Sequence, residues 1–135
     1  MTKDKTFLGL ADFLIPAHGE MPAFSAVCSF ADAERALDFR VDLKEGFARG
    51  LVADPALGAE ARLEKLNRED GPAFSAITTI AICTYYMNPR VRELLGYPGQ
   101  ESVQYDSKAT QIYLTDGSLG HVLARGRKYR PTPGL

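Results

Sequence analysis

His18 and His121 are the only histidines in this 135-residue sequence. Neither stands at ligand spacing from a cysteine, a second histidine or a carboxylate, so no metal site is expected. Ser25, Cys28, Cys83 and Ser118 are the candidate nucleophiles. None sits in a tight elbow or a glycine-flanked turn that would hold it beside an oriented base. Cys83 lies in an apolar run, where burial raises a thiol's pKa and makes it inert. Most carboxylates fall at i, i+4 spacing on helix faces, as solvated charges do; Glu20 and Asp106 have no evident role. The glycines are dispersed, and neither a phosphate loop nor a GxGxxG turn can be written. The expectation is a chain with no catalytic, cofactor-binding or metal-binding residue of its own.

Charge narrows the partners. Lysine plus arginine number 16 and aspartate plus glutamate 17, for a net charge of −1, so no overall pull toward nucleic acid or anionic lipid is expected. Acidic groups concentrate in residues 31–70, whereas Arg125, Arg127, Lys128 and Arg130 crowd the C-terminus. Cys28 and Cys83 both lie in apolar stretches and read as free core thiols. The apolar run Phe7–Ile15 is interrupted by Gly9 and Asp12, too short for a membrane span or a signal peptide. A cytoplasmic location is the default expectation.

The elements that must position any site are punctuated by proline and glycine. Phe7, Leu10 and Leu14 predict a helix over 5–14 that stops at Pro16. Pro16–Pro22 reads as a turn. Ser29 caps a long helix with Ala36, Phe39, Leu43, Phe47 and Leu51 on one apolar stripe. Asp54-Pro55 predicts the start of another, carrying Leu57, Ala59, Leu63 and Leu66. From Phe74 to Met87 the chain holds no charge and is apolar on every side, which predicts a central helix buried all round. Asn88-Pro89 then caps a short helix closed by Gly96. Beyond it, Thr110–Leu114 suits a short strand or extended arm and Leu119–Ala124 one helical turn. The fold class is all-α: one helical domain, 1–135, a compact bundle of four to five helices with residues 97–135 as a long irregular arm.

All six tyrosines lie in the second half, at Tyr85, Tyr86, Tyr97, Tyr105, Tyr113 and Tyr129. Tyrosine joins a large apolar ring to a polar tip, which suits protein interfaces. With Asn88, Pro89, Pro98, Gln100 and Arg130 they form the candidate partner-binding set. A structureless stretch of nearly forty residues is usually functional or partner-bound.

Tyr85-Tyr86-Met87-Asn88-Pro89-Arg90-Val91 and Gly96-Tyr97-Pro98-Gly99-Gln100 together resemble the signature of gluconate 2-dehydrogenase subunit 3-like proteins. Leu10-Ala11-Asp12, Ile15-Pro16, Met21-Pro22-Ala23 and Ala26-Val27 are similar to that family's opening, and Tyr129-Arg130-Pro131-Thr132 to its close. The resemblance implies a small subunit of a dehydrogenase. Its large partner would be a flavoprotein of the glucose–methanol–choline type, with FAD and the catalytic residues on that partner. The partner would oxidise a sugar, sugar acid or alcohol. Many such proteins carry a twin-arginine export signal, which is not seen here and which agrees with the cytoplasmic expectation.

The function expected is therefore a non-catalytic accessory subunit of a hetero-oligomer, without nucleic-acid binding or membrane insertion. The alternative is a stand-alone helical enzyme or ligand-binding protein with a pocket beside helix 74–87. A helical DNA-binding module is disfavoured because the Asn88–Gly96 helix offers only Arg90 and Arg92.

Overall fold

In the computed structural model, α1 (Lys3–Leu14) buries Phe7, Leu10 and Ala11 on one face and ends at Ile15, ahead of Pro16. The structure describes residues 2–102, 104–107, 109–126 and 128, with the backbone only at Thr110. These residues divide into two units, one up to Gly99 and one from Gln100. Among the described residues every regular element is helical, so the protein is all-α.

Pro16–Pro22 is the expected turn. His18 and Met21 exchange backbone hydrogen bonds of 2.9 and 3.0 Å around Gly19, which takes a left-handed φ of 57°. A four-residue helix, α2 (Phe24–Val27), follows. Its Ser25 donates from both the amide and Oγ to the Asp12 carboxylate, at 2.8 and 2.7 Å. That pair explains the charge in the first apolar run: Asp12 pins α2 onto α1. Phe24 packs edge-on against Phe7, ring centroids 5.5 Å apart.

Ser29 caps α3 (Phe30–Phe39) in a reciprocal capping box with Asp32. The long helix expected from Ser29 to Leu51 is broken. At Arg40 the backbone leaves the helical region (φ −120°, ψ 62°), a 3₁₀ turn covers Val41–Leu43, and α4 (Lys44–Val52) continues. A straight rod from Phe30 to Leu51 would run about 33 Å. Bending at Arg40 instead lets both α3 and α4 lie on the central helix. The break swings Phe39 off the apolar stripe to 80% exposure, while Phe47 and Leu51 stay buried.

Asp54-Pro55 does not start a helix. These residues lie in a loop with Asp54 at φ 45°, and α5 (Ala59–Glu69) starts only after Gly58, leaving Leu57 outside it and exposed. Lys65 holds Asp54 in place through a 2.7 Å ion pair. Leu63 and Leu66 enter the core as expected.

The central helix, α6 (Gly71–Met87), is capped by Asp70, which accepts from Ala73 N at 3.1 Å, with Pro72 in the first turn. Arg49 of α4 clasps the same carboxylate with two bonds of 2.9 and 3.1 Å. Gly46 and Gly50 let α4 approach closely: a Cβ on Gly50 would sit 2.8 Å from Ile77 Cγ1. α6 is not buried all round. Ala73, Ala76, Ile77, Ile80, Ala81, Thr84 and Tyr85 are interior, while Ser75, Ile82, Tyr86 and Met87 are exposed. Its neighbours cover only one side.

Asn88 and Pro89 open α7 (Pro89–Leu94) as expected, with Asn88 Oδ1 accepting from Arg90 N and Val91 N. Gly96, at φ 64°, closes it. Tyr97 N bonds to Arg92 O and Gly96 N to Glu93 O, which together make a Schellman motif.

In the second unit, Ala109–Leu114 is a 3₁₀ helix rather than the expected strand or extended arm, and α8 (Gly120–Arg125) supplies the expected helical turn. More short helices form than the four to five expected, because α2 forms, the long helix splits, and α8 appears. Among the described residues no helix is long and apolar enough to cross a membrane.

Candidate functional site

The partner-binding set is sorted by burial. Tyr85, only 2% exposed, leaves it: the ring belongs to the core and its hydroxyl donates to Pro22 O at 2.7 Å. Burial pushes the phenol's pKa up, so it stays a donor. Asn88 is likewise half-buried and structural. Besides capping α7, its Nδ2 donates to Val27 O at 2.7 Å, tying α7 to α2.

Tyr86 remains available. It is about half exposed and stands edge-on to Tyr85, centroids 5.5 Å apart. Pro89, Tyr97, Pro98 and Gln100 are exposed as well. The Arg92 guanidinium lies 5.8 Å from the Tyr97 ring and donates to Pro98 O at 3.2 Å, so the chain leaving α7 is held by a cation–π contact and a hydrogen bond. Tyr105 and Tyr113 are exposed in the second unit, and Tyr129 and Arg130 lie outside the described residues. The set is thus split between two units.

Periodicity missed part of the surface. Phe39, Val41, Ile82 and Met87 are large apolar side chains in the open. Ser75, Thr79, Ile82 and Tyr86 follow one another at spacings of four, three and four along the uncovered stripe of α6. An uncharged helix carries no polar face to mark which side meets solvent, so only its neighbours reveal it.

A groove of about 350 Å³ runs between α3 and the α6–α7 junction, lined by Cys28, Asp32, Arg35, Phe39, Thr84 and Met87 among others. Its chemistry is passive. Burial, with the Asp32 charge adding, pushes the Cys28 thiol up to about 11, and the thiol sits 3.8 Å from Thr84 O. Cys28 is buried as expected, whereas Cys83 is only half-buried. Ser29 holds the Asp32 carboxylate below its usual range by hydrogen bonding, helped by Arg35, so this acid stays ionised. No histidine lines the groove. Ser25 is bound to Asp12, and His18 is exposed in its turn. Among the described residues no group of three or more histidine, cysteine or carboxylate side chains could hold a metal ion.

No family model, curated protein or solved structure matches this chain. The fold and surface define an all-α protein whose first unit leaves one side of its central helix uncovered.

Proposed function

We propose that the chain is a non-catalytic accessory subunit of a large FAD-dependent dehydrogenase acting on a sugar, sugar acid or alcohol. One observation carries the reading. In the second unit no residue described with its side chain is buried, only Leu119 is half-buried, and Ile112, Tyr113, Leu114, Val122 and Leu123 are exposed. A segment this short cannot build a core of its own and gains stability by burying such side chains against a partner. The uncovered α6 stripe with Phe39 and Met87 supplies further apolar surface on the first unit. The Tyr85–Gln100 and Leu10–Val27 segments, through the resemblance they carry, direct the proposal to a flavoprotein.

Co-expression with a flavoprotein encoded beside it, followed by size exclusion, tests the reading. The two are expected to co-elute, and Ile112→Ser with Leu123→Ser to release the flavoprotein. A flavoprotein that never co-elutes and is soluble and fully active alone sinks the idea. The stand-alone ligand-binding alternative has one observation in its favour. Thr84 Oγ1, at the groove beside α6, is buried without a hydrogen-bond partner.

A further inference from the structure

Arg62 is an anomaly of the core. It is 3% exposed, and among the described residues no carboxylate pairs with it. Its Nη2 donates to Gly50 O at 3.1 Å and Leu51 O at 2.5 Å, capping the end of α4, but Nε has no partner. Asp54, whose charge acts on it, is held by Lys65 at 2.7 Å. A buried cation without full pairing is costly, and the deficit calls for a counter-ion.

Arg62 lines a cavity of about 220 Å³ between α1, the 53–58 loop and the start of α5. Lys5 and Thr6 face the same cavity from α1, and Gly9 and Gly58 leave open space where a Cβ would meet nothing within 4 Å. The first turn of α5 opens there with Gly58 at the N-cap and no side-chain cap, so its leading N–H groups are free to bind an anion. No acidic side chain lines the cavity; Glu60, the acid of that turn, lines a different cleft beside Phe13 and Leu63. Two cations, a hydroxyl and a helix N-terminus converge with no opposing carboxylate. The volume is below that of a drug-sized site, which suits a small group.

We infer that this cavity binds a small tetrahedral oxyanion, either inorganic phosphate or the terminal phosphate of a small phosphomonoester. The Arg62 guanidinium, the Lys5 ammonium, the Thr6 hydroxyl and the first-turn amides of α5 are its donors.

The test uses the full chain, with inorganic phosphate as the probe and potassium chloride at matched ionic strength as the control. Phosphate is expected to raise the thermal midpoint beyond the chloride control and to saturate in calorimetric titration. Gly58→Asp sets a carboxylate where the oxyanion would sit, in a conformation (φ −64°) that aspartate adopts freely. This variant should fold and lose phosphate affinity by about tenfold or more. Lys5→Ala should weaken it several-fold, and Lys44→Ala, the same charge change on α4 away from the cavity, should leave it unaltered. Arg62 also caps α4, so Gly58→Asp and Lys5→Ala are the variants that decide the matter. Glycerol phosphate binding more tightly than inorganic phosphate identifies a phosphomonoester as the source, and equal binding identifies free phosphate. A phosphate effect no larger than that of chloride, or affinity unchanged in Gly58→Asp, overturns the inference. Neither result bears on flavoprotein co-elution.

Discussion

The helical unit up to Gly99 and the unit from Gln100 are made of similar residues but treat them differently. In the first, Phe7, Phe24, Ile77, Ile80 and Val91 are fully enclosed, and helix starts are secured by Ser29, Asp70 and Asn88. In the second, isoleucine, leucine, valine and tyrosine lie on short helices without a buried residue among those described with side chains. The difference shows that apolar content alone does not make a core. A central element such as α6, against which α1, α3, α4, α5 and α7 can pack, is also needed.

The largest expected effect is a separation of the two units by protease. Limited digestion should trim the chain beyond Gly99 and leave a stable fragment, because backbone without buried contacts opens at little cost. Equal protection of both units would erase the contrast. Next, Ile80→Ala should destabilise the fold by about 2–5 kcal/mol in urea unfolding, whereas Ile112→Ala should stay within about 0.5 kcal/mol. Glycines sharpen the same point. Gly50→Ala drives a Cβ into Ile77 and should cost about 1–3 kcal/mol, while Gly120→Ala meets open space and should be nearly neutral. Asn88→Ala, which removes the α7 cap and the bond to Val27, should cost about 1–2 kcal/mol.

The smallest effects are in titration. Cys28 keeps its proton in the folded chain until about pH 11, whereas the unfolded thiol loses it near its ordinary value of 9.0. Stability is therefore unaffected below that value and falls as pH rises through the window between the two. A thiol reagent should reach half-buried Cys83 in the folded chain, and buried Cys28 only on unfolding. At the acid end, Arg49 and the Ala73 amide hold the Asp70 carboxyl below its usual range. Its contribution is present above the unfolded carboxyl's pKa and is lost as pH falls through the depressed folded value. Asp70→Asn should flatten that acid limb of the stability curve.

Much of the candidate surface is legible by residue type and little by geometry. Tyr86, Tyr97, Tyr105 and Tyr113 are exposed, as their type suggests; Tyr85, adjacent to Tyr86, turns inward because each residue of α6 is rotated about 100° from the last and Tyr85 falls on the covered side. Phe39 and Ile82 read as core only under a period that presumes an unbroken helix and neighbours on all sides. The groove at Cys28 and Thr84 and the cavity at Arg62 join residues far apart in the chain, which no spacing rule reveals.

Residue types and local spacing are enough to specify the all-α class and most helix starts and stops. Ser29 with Asp32, Asn88 with Pro89, and Gly96 satisfy backbone groups within a few residues of themselves, so their effect is local. The break at Arg40, the exposed side of α6, the inward turn of Tyr85 and the half-paired burial of Arg62 come from tertiary packing instead. Each of those depends on what lies opposite, and a buried side chain's free energy is set by its neighbours in space, not in the chain.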